Sequence, residues 1–98
     1  MARENQLDIK ELGGDKFQIE FPFNQDYIDF IKWRVPAADR RYDEATKTWL
    51  IRGERYIGPL ESVGMQRFRH VTRIFWRGSS LVIRNARTGT ESIQGALF

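Results

Sequence analysis

The sequence predicts a small α+β domain of antiparallel β-hairpins packed with two short helices, in the order ββ-α-ββ-α-ββ. Three observations carry this. Stretches of period-two alternation recur in pairs around turn residues, as in LDIKELGGDKFQIEF. Two segments between them carry apolar residues at helical spacing. The length of 98 residues allows one modest core and not two. The domain is expected over residues 1–87, with residues 88–98 as a flexible tail.

The first hairpin alternates Leu7, Ile9 and Glu11, turns at Gly13-Gly14 and returns through Phe17, Ile19 and Phe21. The following FPFNQDYIDFIKWR predicts a helix with Asn24 as its N-cap and Asp26 at the positive end of the helix dipole. Phe23 is placed to staple onto Ile28. Tyr27, Ile28, Ile31 and Val35 share its inner face, and Pro36 stops it.

In RRYDEATKTWLI, a loop of Glu44 to Lys47 closed by Asp43 and Thr48 sets Tyr42 opposite Trp49. An aromatic pair of that kind contributes ~0.2–1 kcal/mol. Arg41 and Leu50 then point to the other face. GERYIGPLESVG predicts a second helix with Pro59 in its first turn and Gly64 as its stop.

The third hairpin, FRHVTRIFWRGSSLVIRNA, turns at Gly78-Ser79. That turn pairs Arg77 with Ser80, Trp76 with Leu81, Phe75 with Val82, Ile74 with Ile83 and Arg73 with Arg84. Ile74, Trp76, Leu81 and Ile83 are then the expected core face. The other face carries Arg73, Arg77 and Arg84 around Phe75 and Val82. Two arginines directly opposite repel unless an anion sits between them. The closing RTGTESIQGALF has no periodicity.

Charge adds the functional reading. Residues 1–61 hold 10 Lys or Arg against 12 Asp or Glu, a net of −2. Residues 62–98 hold six Arg against Glu91 alone, a net of +5. Arginine favours planar, bidentate contact with phosphate. The expected nucleic-acid face is therefore Arg67, Arg69, Arg73, Arg77, Arg84 and Arg87, with Phe75 as a stacking contact. Arg40, Arg41 and Lys47 are secondary contacts.

Enzyme chemistry is not expected. The single His70 sits in a strand pattern, Cys is absent, and Asp26 with Asp29 makes a poor cation site. GGD and RGSS lack the spacing of a phosphate-cradling loop. No cofactor or metal is expected. The N-terminus lacks a secretory signal pattern and no apolar run is long enough to cross a bilayer, which fits a cytoplasmic, nucleoid-associated protein.

The middle of the chain resembles the HARP (HepA-related protein) domain. The residues that carry this are the aromatic lead-in Phe21-Pro22-Phe23, the helix positions Ile28, Ile31 and Lys32, and the hairpin positions Arg41-Tyr42-Asp43, Thr46-Lys47 and Trp49. That module precedes the motor of annealing helicases, and a related fold precedes the motor of a phage repair helicase. The resemblance covers about 30 residues and implies binding of duplex, forked or otherwise structured DNA in replication, recombination or repair, without ATPase activity. The link WRVPAAD departs from the family pattern, and the Arg-rich hairpin lies outside the matched motif.

Gln94, Leu97 and Phe98 in QGALF resemble the QxxLF peptide by which bacterial proteins hold the sliding clamp. Either these residues dock on a partner or Leu97 and Phe98 pack on the domain's own core. Two functions follow as expectations. The first is a non-enzymatic DNA-binding accessory protein. The second is a protein-interaction module of phage or plasmid type that binds a clamp or blocks a host DNA-processing or defence enzyme. A solvated Arg face without a partner is the third, structural reading.

Overall fold

The structure, a computed structural model, describes residues 5–96. The elements are β1 (Gln6–Gly13), β2 (Lys16–Glu20), α1 (Gln25–Arg34), β3 (Arg40–Asp43), β4 (Thr48–Arg52), α2 (Ile57–Arg67), β5 (His70–Arg77), β6 (Ser80–Asn85) and β7 (Glu91–Ala96). They form one seven-stranded sheet in the order β3-β4-β2-β1-β5-β6-β7. The domain is α+β with two helices, as expected, and has one strand more. Glu91–Ala96 pairs with β6, so the expected flexible tail is largely a strand. Of its six residues, Glu91 to Gln94 are all exposed, so no apolar alternation marks that part of the strand.

All neighbours are antiparallel except β1 and β5, which run parallel at the centre. A parallel pair needs a crossover, and the long excursion through α1, β3, β4 and α2 supplies it.

Turn chemistry sets the three expected hairpins. The first turn is Gly14-Asp15, one residue later than expected, with φ of 62° at both positions. Positive φ at both central residues is what a type I′ turn requires. Asp15 accepts this conformation while its side chain binds the Glu54 amide at 2.9 Å. The second hairpin has the predicted loop and the predicted Tyr42–Trp49 register, with ring centres 5.2 Å apart. The third has every predicted cross-strand pair, and Gly78 at φ 62° takes the first turn position.

Asn24 caps α1 by accepting the Tyr27 amide at 3.0 Å. Phe23 remains 81% exposed, so the expected staple onto Ile28 does not bury it. α2 begins at Ile57, which places Pro59 in the first turn, where a missing amide leaves no hydrogen bond unmade. It runs on to Arg67, so Gly64 is not its stop. Gly64 is instead the point where α2 crosses β1. A Cβ there would lie 2.3 Å from Leu7 Cδ2.

Both helices cover the same side of the sheet. Leu7, Ile9, Phe17, Ile19, Ile51 and Val71 face Tyr27, Ile31, Val35, Ile57 and Leu60, all buried in one cluster. Burying one such side chain stabilises the fold by ~1.5–3 kcal/mol relative to leaving it exposed. Tyr27 joins the helices through a 2.7 Å hydrogen bond from its hydroxyl to the Leu60 carbonyl. Burial pushes its phenol well above the ordinary range, with the Glu61 carboxylate adding to the effect.

The faces of the third hairpin are the reverse of those expected. Val71 pairs with Leu7 on the helix side, and alternation carries Arg73, Phe75 and Arg77 to that side with it. Ile74, Trp76, Leu81 and Ile83 lie on the face that no helix covers, and Trp76 is 46% exposed.

Candidate nucleic-acid interface

The predicted Arg ribbon is engaged by two of the protein's own carboxylates, Glu61 and Glu91, the second shared by Arg77 and Arg84. Arg73 meets Glu61 of α2 at 3.1 Å, each side chain about a quarter exposed. Arg77 forms a two-pronged pair with Glu91 at 2.9 and 3.0 Å, and Arg84 reaches the same carboxylate at 3.1 Å. Arg73 and Arg84 are opposite each other as predicted, but Glu61 and Glu91 relieve the repulsion that was expected to demand an external anion. Arg77 and Arg84 also lie over the Phe75 ring, at 5.6 and 4.9 Å. The Arg77–Glu91 pair reaches across β6, and Val82 on that face of β6 is fully buried.

The other arginines of the last third are divided. Arg87 donates to the carbonyl oxygens of Met65, Phe68 and Arg69, where it closes the C-terminal end of α2. Arg67 lies 3.6 Å from Asp26. Arg69 is exposed with no carboxylate partner among the described residues. Of the secondary contacts, Arg40 donates to the Val35 carbonyl at 2.5 Å and caps α1. Lys47 makes a weak, largely exposed pair with Glu44 at 3.4 Å.

Glu91 gives this ribbon a pH signature. Hydrogen bonding to Arg77, above all, holds its carboxyl below the ordinary carboxylate range, with help from Arg84. A depressed folded value means the clasp is complete above the unfolded pKa of about 4.3 and is lost as pH falls through the folded value. The amide chemical shifts of Ser92 and Ile93 are expected to move as pH falls through that window, and to stay level in Glu91→Gln. A wild-type protein whose β7 shifts do not move would remove Glu91 from the anchoring of that strand.

Unpaired cations gather elsewhere, on the helix-free face. Strand pairing places Lys10, Gln18, Leu50 and Arg41 in one row across β1, β2, β4 and β3. At a strand spacing of about 4.8 Å the row spans ~14 Å. In the next row Lys16 is directly opposite Arg52. Lys10, Lys16, Arg41 and Arg52 are all exposed, and none has a carboxylate within ion-pair distance among the described residues. A shallow groove of about 460 Å³ opens beside them, with Leu12 and Leu50 in its wall. Asp39 also lines it, but that carboxylate is taken by the Tyr56 hydroxyl at 2.8 Å and Arg55 at 3.5 Å. The row on the other side is acidic, with Asp8 paired to Glu20, which bounds the cationic corner.

Sequence reasoning named Arg41 of this group and missed the other three. Their outward direction was legible from alternation. That β2 lies beside β4 was not, and only that neighbourhood brings Lys16 to Arg52.

On the reverse of the same hairpin, seven of the twelve residues that carry the HARP resemblance come together, whereas Arg41 points to the other face. Phe21, Phe23, Ile28, Lys32, Tyr42, Lys47 and Trp49 line one open groove of about 530 Å³. Gln94 lies on β7, bonded to Ser92 at 3.2 Å, and Leu97 and Phe98 fall outside the described residues. Asp26 and Asp29 take separate partners, Arg67 and Gln25. No cluster of three metal-ligating side chains occurs among the described residues. No helix among them is long and apolar enough to cross a membrane.

Comparison with protein-family models, with curated protein sequences and with solved structures finds no match to this chain.

Proposed function

We propose that this chain is a non-enzymatic nucleic-acid-binding module, an accessory to DNA replication, recombination or repair, that grips phosphates with the cationic corner formed by β1, β2, β4 and β3. The observation that carries the reading is Lys16 directly opposite Arg52, with Arg41 and Lys10 beside them and no carboxylate within ion-pair distance of the four among the described residues. Like charges placed opposite each other on a sheet cost stability. A polyanion removes that cost, and phosphates are the polyanion that guanidinium and ammonium groups hold best. The resemblance of the α1–β3–β4 segment to HARP domains points to the same ligand and to structured DNA. A cytoplasmic setting belongs to this reading.

Backbone contact predicts little sequence preference and a steep dependence on salt. Four neutralised phosphates correspond to a slope of log affinity against log salt of about −3 to −4 on duplex DNA. Fluorescence anisotropy with labelled duplex, forked and single-stranded oligonucleotides over a salt series measures it. A slope near zero would overturn the proposal. It would favour the second reading, a protein-interaction module, for which the uncovered apolar patch around Trp76 speaks.

A further inference from the structure

We infer that the groove on the helix side of the β3–β4 hairpin is a stacking site for an unpaired nucleobase, so that the module's substrate class is nucleic acid with a single-stranded segment; this rests on the phosphate-binding reading above. Trp49, 9% exposed, forms the floor, while Tyr42 is 41% and Phe23 81% exposed. Single exposed apolar side chains are ordinary on protein surfaces. Here, however, two exposed aromatic rings, Phe23 and Tyr42, line one open groove together with Lys32 and Lys47. Aromatic faces with cations beside them are what successive bases and their phosphates require. Lys47 keeps only a surface pair with Glu44, which a phosphate would displace at little cost.

Position strengthens the assignment. β3 is an edge of the sheet, with a neighbour on one side only. Arg41 and Tyr42 are consecutive on it, so their side chains leave on opposite faces. A nucleic-acid strand passing around that edge thus meets, on one face, a guanidinium with no carboxylate partner among the described residues and, on the other, an aromatic groove, within a few nucleotides. A peptide adding to the free edge of β3 would satisfy its backbone groups but would leave Arg41, Lys32 and Lys47 without a role.

The test compares the full chain's affinity for a short oligothymidylate and for an abasic oligomer of the same length and charge. With a base stacked in the groove, oligothymidylate binds about tenfold tighter than the abasic strand. Phe23→Ala, a change at an exposed side chain, is expected to abolish that difference while leaving affinity for the abasic strand unaltered. Equal affinities of the wild type for the two strands would overturn the inference and leave phosphate binding standing. Failure of both strands to bind at low salt would instead overturn the phosphate-binding reading beneath it.

Discussion

Replacing Arg41 and Arg52 together by Ala is expected to flatten the salt slope of duplex binding by about two units, one for each lost phosphate contact. The same double substitution at Arg73 and Arg84 is expected to leave the slope nearly unchanged. The total charge removed is identical, so a difference between the two variants reports geometry and not net charge. The physical reason is the state of each guanidinium before DNA arrives. Arg73 and Arg84 already hold carboxylates at 3.1 Å, and an incoming phosphate must break those pairs to use them. Arg41 and Arg52 have none to break among the described residues. Counterion release follows the phosphates that are newly neutralised, so only Arg41 and Arg52 contribute fully to the slope. Circular dichroism melts serve as the control. Arg41 and Arg52 are exposed and their removal relieves repulsion, whereas loss of Arg73 leaves Glu61 a quarter exposed and unpaired. An unchanged slope in Arg41→Ala/Arg52→Ala, or a two-unit loss in Arg73→Ala/Arg84→Ala, would move the phosphate site back to the β5–β6 ribbon.

That contrast also shows where sequence reading reaches and where it stops. Hairpin registers are local, set by a turn and by alternation a few residues away. Tyr42 against Trp49 and Arg73 against Arg84 were therefore legible. The Asn24 cap and the first-turn place of Pro59 were legible for the same reason. What a side chain faces is not local. Alternation divides the β5–β6 hairpin into two faces but assigns neither to the core. The parallel pairing of Val71 with Leu7, 64 residues apart in number, makes that choice. It turned Ile74, Trp76, Leu81 and Ile83 outward and brought Arg73 under Glu61. Glu91 was visible as the one acid among six arginines. Its role depended on β7, a strand too polar to announce itself.

The same nonlocality governs Gly64, which the sequence presents as a helix stop and the fold uses as a gap. Gly64→Ala is expected to destabilise the protein by up to about 2 kcal/mol, although Ala is the better helix former. Helix propensity favours the substitution by ~0.8–1 kcal/mol. Overpacking opposes it by ~1–3 kcal/mol. The opposing effect wins because the new methyl would sit 2.3 Å from Leu7 Cδ2, against about 3.5–4.0 Å for relaxed carbon contact. Leu7 has no easy retreat. It is fully buried on β1, which is held between β2 and β5, and Tyr27 Oη lies 3.5 Å from the same Cβ position. For a 98-residue domain the loss corresponds to a melting temperature lower by as much as roughly 15 °C. The decisive measurement is the cycle with Leu7→Ala. That change alone is expected to cost ~2–5 kcal/mol through the cavity it leaves. On that background Gly64→Ala is expected to change sign and stabilise, since its methyl now enters vacant space and the helix gains propensity. Equal destabilisation on both backgrounds would show that something other than the α2–β1 contact requires glycine at this position.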